Sequence, residues 1–177
     1  MNAIKNREEI KNLTAAAICL ALCILLPYLT AQIPQLGQAL APMHIPVLLC
    51  AFICGPRYAA IIGLIAPLLR FMIAGMPPIM PMGVAMCFEL ASYGIAAGLL
   101  YKLLPKKTVY IYVSLISAML FGRVVFGLAF MQTFGMHTGG QYTWEMYVSA
   151  AFINAVPGII LHIVLIPVIV MALKRHK

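Results

Sequence analysis

The sequence predicts an all-α integral membrane protein, a bundle of six transmembrane helices with both termini in the cytoplasm. Of the 177 residues, 64% are hydrophobic and only 9% are charged, whereas soluble domains average roughly 45–50% apolar and about 25% charged residues. The mean hydropathy is +1.02. The apolar residues form six stretches, several of them close to the ~20 residues that a helix needs to cross a bilayer. The basic residues are confined largely to alternate gaps between these stretches.

The six predicted helices form a single membrane domain and cover residues 13–31, 44–54, 58–74, 80–100, 109–131 and 146–173. Gly55-Pro56 separates the second stretch from the third, and Gly75-Met76-Pro77-Pro78 ends the third, because glycine and proline interrupt helices. The second stretch is short. The sequence therefore leaves open a tilted or partly re-entrant second helix.

Charge in the gaps predicts the orientation. Lysine and arginine occur at both termini and in the second and fourth gaps, and the other gaps (32–43, 75–79 and 132–145) contain none. Cytoplasmic loops carry the excess of basic residues, so the three uncharged loops are predicted to face outward. The net charge of +8 is then a topology signal. We expect the lipid bilayer, and no nucleic acid, as a partner.

Three formally charged residues fall within the apolar stretches: Arg70, Glu89 and Arg123. Intramembrane charges are costly and mark functional sites by default. Helical rise places Arg70 roughly 8 Å and Arg123 roughly 12 Å from the outer ends of their helices, with Glu89 near the midplane. Two cations and one anion leave an excess positive charge that a ligand carboxylate would offset. Which arginine pairs with Glu89 remains open, as does a purely structural ion pair.

Further polar residues are candidates for ligand contact in the outer half of the bundle: His44, Gln132, Trp144 and Asn154. Three of them have a simpler alternative, since His44 starts a helix, Trp144 suits an interfacial anchor and Asn154 could join helices. His162 is predicted to be a packing residue.

Two small residues, Ala17 and Ala21, share one face of the first helix. Small residues four apart let another helix approach closely. The alternative is packing within the bundle itself.

We expect no metal and no cofactor. The five cysteines lie in apolar stretches without C-x-x-C spacing, which is typical of small buried hydrophobic residues. A four-thiolate metal site on the two i,i+4 pairs is the less favoured alternative: Cys19, Cys23, Cys50 and Cys54.

With these features, nearly the whole chain resembles the substrate-binding S components of energy-coupling-factor (ECF) vitamin transporters. The resemblance is carried by the small-residue pair of the first helix, the long uncharged first outer loop and three segments. These read H-I-P-V-L-L-C-A-F-I-C-G-P-R-Y (44–58), P-L-L-R-F-M-I-A-G-M-P-P (67–78) and F-E-L-A-S-Y-G (88–94). They are most similar to the pantothenate-type branch.

The resemblance implies a substrate-binding membrane subunit in the cytoplasmic membrane of a prokaryote, which captures a vitamin or precursor near the outer face. Pantothenate or another anionic vitamin is the expected substrate. Docking through positions matching Ala17 and Ala21 onto a membrane coupling subunit, driven by two ATPase subunits, is also implied. The chain itself contains no G-x-x-x-x-G-K-[ST] motif.

Other classes fit the residues less well. A proton-coupled secondary transporter could use Glu89 as its carrier, but two arginines in the same bundle would keep that carboxylate ionised. A membrane enzyme would need clustered acid–base or metal-binding groups, and the chain contains no aspartate. A scaffold subunit would not need arginines within the membrane.

Overall fold

The computed structural model describes residues 2–30, 40–105, 107–138, 140, 143, 145, 148 and 156–175. Throughout these residues the regular structure is helical and no strand occurs, which confirms the predicted all-α class. The helices are α1 (Asn2–Leu25), α2 (His44–Ile53), α3 (Pro56–Ala74), α4 (Val84–Leu103), α5 (Thr108–Thr138) and α6 (Val156–Arg175).

α2 is the short member of the bundle. Five other helical segments in the described residues are long and apolar enough to cross a membrane. α2 has 10 residues, so it extends about 15 Å, half of the ~30 Å hydrocarbon core. Every residue from His44 to Phe52 is buried. α2 is thus a half-length helix inside the bundle, in line with the alternative that its short apolar stretch had left open.

Several helix ends differ from the predicted ones. α1 begins at Asn2 rather than at 13, because Lys, Arg and Glu are good helix formers and extend the helix beyond its apolar part. α5 runs to Thr138 rather than 131, so the predicted loop begins as helix. Regular α4 starts after an irregular turn, Ile79–Gly83, in which Met80 is extended (φ −113°, ψ 135°). The predicted start of the sixth helix lies outside the described residues.

α4 is the central helix and packs against α2, α3 and α5. α4 approaches α3 closely because each helix has a glycine that lies directly against the backbone of the other helix. A Cβ on Gly63 would lie 2.5 Å from the carbonyl carbon of Leu90, and one on Gly94 would lie 2.6 Å from that of Ala59. These two contacts define an antiparallel register between α3 and α4.

The register fixes the relative depth of two charged residues. When this register is continued along both helices, Arg70 of α3 lies level with Gly83, just before the start of α4. Glu89 of α4 is then about six residues away, or ~9 Å along the bundle axis. The intramembrane charges therefore occupy two levels.

Candidate functional site

Glu89 is the centre of a buried polar cluster. Glu89 is only 1% exposed. Oε1 lies 3.1 Å from Nη1 of Arg123 and accepts a hydrogen bond of 2.9 Å from the Tyr93 hydroxyl. Oε2 lies 3.4 Å from Nε2 of His44. One carboxylate therefore joins α2, α4 and α5, and a cationic guanidinium offsets its charge.

The sequence builds this cluster from two local features. Tyr93 follows Glu89 by four residues, so both side chains lie on one face of α4. Gly122 precedes Arg123 on α5, and a Cβ there would lie 2.0 Å from Cε1 of Tyr93. The absent side chain of Gly122 is the space that the Tyr93 ring occupies. The phenol can therefore lie against α5 beside the guanidinium.

Two imidazoles form the other side of the cluster. The rings of His44 and His162 are stacked, with centroids 5.9 Å apart and planes at 18°, and His44 also lies 5.3 Å from the Tyr93 ring. They are 3% and 1% exposed. The cluster thus joins α6 to the other three helices.

His44 reaches this depth because the chain before α2 enters the bundle. Met43 is 4% exposed, and its carbonyl accepts a weak hydrogen bond of 3.6 Å from the Cys23 thiol. The sequence had predicted that His44 starts a helix at the outer face. His44 instead lies deeper in the bundle.

Arg70 has a different environment, near the C-terminal end of α3. It is 5% exposed, its Nη1 donates 3.1 Å to the carbonyl of Ile24, and its Cζ lies 5.2 Å from the centroid of the Tyr28 ring. The carbonyl is available because the chain tightens into a 3-10 turn over Leu26–Thr30. In a 3-10 turn the donor to the Ile24 carbonyl would be the backbone N–H of residue 27, but Pro27 has no N–H.

The acidic residues of the chain leave Arg70 without a carboxylate. There are four acidic side chains, and Glu8, Glu9 and Glu145 are exposed. Both ion pairs found among the described residues use Glu89. Arg70 is therefore a buried cation that a helix-end carbonyl and an aromatic ring stabilise in part, with no anion among the described residues to offset its charge.

The remaining candidates do not join either group. Gln132 is exposed on α5 and is not brought to Glu89 or Arg70. Trp144 and Asn154 lie outside the described residues. Ala17 and Ala21 are both exposed on α1, whereas Ala16 beside them is buried. The small-residue pair is thus exposed in the part of the bundle that the structure describes.

Sequence reasoning missed two members of the cluster. Tyr93 carried a usable signal, since a tyrosine one turn from a buried glutamate shares its helix face. His162 was expected to be a packing residue, and its ring is packed against that of His44, which the sequence did not indicate. No local pattern indicates that contact, because it depends on where α6 crosses α2.

Comparison with known proteins agrees with this architecture. Residues 11–170 match the family described as ECF transporter, substrate-specific component. No curated protein gives a significant match, nor does any solved structure. The matched range includes every described side chain of the polar cluster as well as Arg70. The chain belongs to the substrate-specific components of ECF transporters, membrane subunits that work with the other subunits of an ECF module.

Proposed function

We propose that this chain captures a small anionic solute, a vitamin or vitamin precursor with a carboxylate, and that Arg70 binds the carboxylate. Pantothenate is the first choice, because the segments 44–58, 67–78 and 88–94 resemble the pantothenate-type branch. The solute is taken up at the outer face of a prokaryotic cytoplasmic membrane. A membrane coupling subunit and two ATPase subunits then drive its import.

One observation carries the proposal: Arg70 is a buried cation with no carboxylate partner among the described residues. Glu89, which could have offset it, contacts Arg123 at 3.1 Å. Since isolated buried charge is unfavourable, the bundle gains most from a ligand that brings a negative charge to Arg70. A guanidinium also binds a carboxylate through two parallel hydrogen bonds, and one Nη1 bond to Ile24 leaves further donors for it.

The alternative, a proton-coupled transporter that uses Glu89 as its carrier, has less support. A carrier must exchange its proton with an aqueous path. Glu89 is 1% exposed, and Arg123 and Tyr93 both contact its Oε1. Those contacts favour a fixed, ionised partner of Arg123.

The proposal is tested by identifying what the protein retains on purification. Small molecules released from the detergent-solubilised chain are analysed by mass spectrometry, and the Arg70→Gln variant is prepared in parallel. We expect a carboxylate-bearing compound with the parent protein, and much less of it with the variant. Retention of a neutral or cationic compound would contradict the proposal. Equal retention by the variant would remove Arg70 from the site.

A further inference from the structure

We propose that His44 and His162 form a second subsite, in which two imidazole nitrogens accept hydrogen bonds from uncharged hydroxyl or N–H groups of the solute. The subsite lies deeper in the bundle than Arg70. This inference rests on the proposed function, because it assumes an acid that is held at Arg70.

The first acceptor is Nε2 of His162. The imidazole hydrogen-bonds the backbone of Ala41, whose carbonyl also accepts the His44 amide at 3.0 Å. Nε2 is buried and has no hydrogen-bond partner in the described part of the chain, so the bond to Ala41 uses Nδ1. A ring nitrogen that donates to a carbonyl carries the proton, and the other nitrogen of a neutral imidazole is then an acceptor.

The second acceptor is Nδ1 of His44. Nε2 of this ring faces Oε2 of Glu89 at 3.4 Å, a contact that is not a hydrogen bond. A carboxylate favours the tautomer whose N–H points toward it. The proton is therefore on Nε2, and Nδ1 presents a lone pair. Nδ1 also is buried without a hydrogen-bond partner among the described residues.

Two buried acceptors without donors are unfavourable in an apolar interior, because each has lost its bond to water. Their chemistry selects the group that would satisfy them. Another carboxylate is disfavoured, since it would face two lone pairs and Glu89. A metal ion is also disfavoured, since no three His, Cys, Asp or Glu side chains in the described ranges are arranged to hold one. Hydroxyl or N–H donors fit.

The axial distance between the level of Arg70 and the level of Glu89 narrows the class of substrate. The α3–α4 register places Arg70 about six residues from Glu89 along the bundle, which is ~9 Å at the helical rise. His44 is in contact with Glu89. A solute that contacts both Arg70 and the two imidazoles is therefore a monocarboxylic acid of extended shape, whose hydroxyl or N–H donors lie toward the end opposite its carboxylate.

The test compares two acids that share the amide N–H and differ only in the two hydroxyl donors at the end opposite the carboxylate: pantothenate and N-(3,3-dimethylbutanoyl)-β-alanine, which lacks both hydroxyls. Calorimetry on the detergent-solubilised full chain measures both acids with the parent, His162→Phe and Val164→Phe. Phenylalanine keeps an aromatic ring but removes the acceptor. Val164 is exposed on the same helix, so its variant is a matched control for an added ring.

We expect the parent and Val164→Phe to bind pantothenate at least about tenfold more tightly than the analogue, as two extra hydrogen bonds allow. In His162→Phe this preference should fall to about threefold, because Nδ1 of His44 still accepts one hydroxyl, while affinity for the analogue stays unchanged. Equal binding of both acids by the parent would overturn the subsite and leave the proposed function standing, even if His162→Phe does not fold. An undiminished preference in His162→Phe would overturn it as well. Binding of neither acid to the parent would overturn this substrate class.

Discussion

Glu89 and Arg123 illustrate how single residues make a charged group tolerable inside a membrane bundle. Their side chains are 3.1 Å apart and both residues are more than nine-tenths buried, so each is the main counterion of the other. The Tyr93 hydroxyl adds a further hydrogen bond to the carboxylate. Removing one partner of such a pair destabilises the fold much more than removing both, because the other charge is then left buried and unpaired.

This asymmetry predicts the outcome of a double-mutant cycle. Glu89→Gln should destabilise the fold by about 3–5 kcal/mol, since it leaves the Arg123 cation uncompensated. Adding Arg123→Gln to Glu89→Gln should recover much of that loss. Unfolding of the purified protein in mixed micelles measures both changes. A double variant no more stable than Glu89→Gln would show that the two residues do not act as a pair.

The sequence was sufficient to identify the three intramembrane charges, because a charged residue in an apolar stretch is visible without a structure. It could not assign partners to them. Pairing depends on the α4–α5 crossing and on Gly122, whose missing side chain admits the Tyr93 ring. The carbonyl partner of Arg70 likewise depends on the 3-10 turn that Pro27 favours, and His162 is placed only by the packing of α6.

At the level of elements, α1 and α2 depart most from uniform membrane-spanning helices. α2 begins at the depth of Glu89 and so brings His44 to the cluster. α1 presents Ala17 and Ala21 on an exposed face. The apolar stretches predicted where these helices lie in the sequence. It could not predict how far α1 extends into its charged N-terminal part, since charged helix formers have no apolar pattern.

The exposed alanine pair predicts an effect on transport that is separate from binding. Leucine at Ala17 and Ala21 should prevent close approach of the coupling subunit, so uptake by cells with the complete transporter should fall. Calorimetric binding by the isolated protein should survive. Ala172→Leu is the matched control, because Ala172 is also exposed but lies on α6. Normal uptake with the double leucine variant would contradict a docking role for this face.

At the scale of the whole molecule, the basic residues of the loops gather at one end of the bundle. The α3–α4 packing places Pro56 beside Gly98, so exposed Arg57 and Lys102 lie at the same end. The positive-inside rule assigns that end to the cytoplasm. We propose on this basis that both termini lie in the cytoplasm, as the sequence predicts.

The orientation predicts which positions are accessible from outside the cell. In a cysteine-free background, a single cysteine at Gly140 should react with a membrane-impermeant maleimide on intact cells. A cysteine at Lys107 should react only after permeabilisation. Both residues are exposed in the structure, so failure to react reports sidedness rather than burial. The opposite labelling pattern would invert the topology.

The central claim, that Arg70 binds the carboxylate of an anionic solute while Arg123 is committed to Glu89, is tested most directly by calorimetry. The parent, Arg70→Gln and Arg57→Gln are titrated with the acid that co-purifies with the parent, or with pantothenate. Arg57 is an exposed arginine of the same helix and serves as the control. We predict that Arg70→Gln loses about 2–5 kcal/mol of binding free energy, the range for breaking a buried charge pair, and that Arg57→Gln binds as the parent does. Unchanged affinity in a folded Arg70→Gln protein would contradict the account and leave Arg70 as a structural partner of the α1 carbonyl.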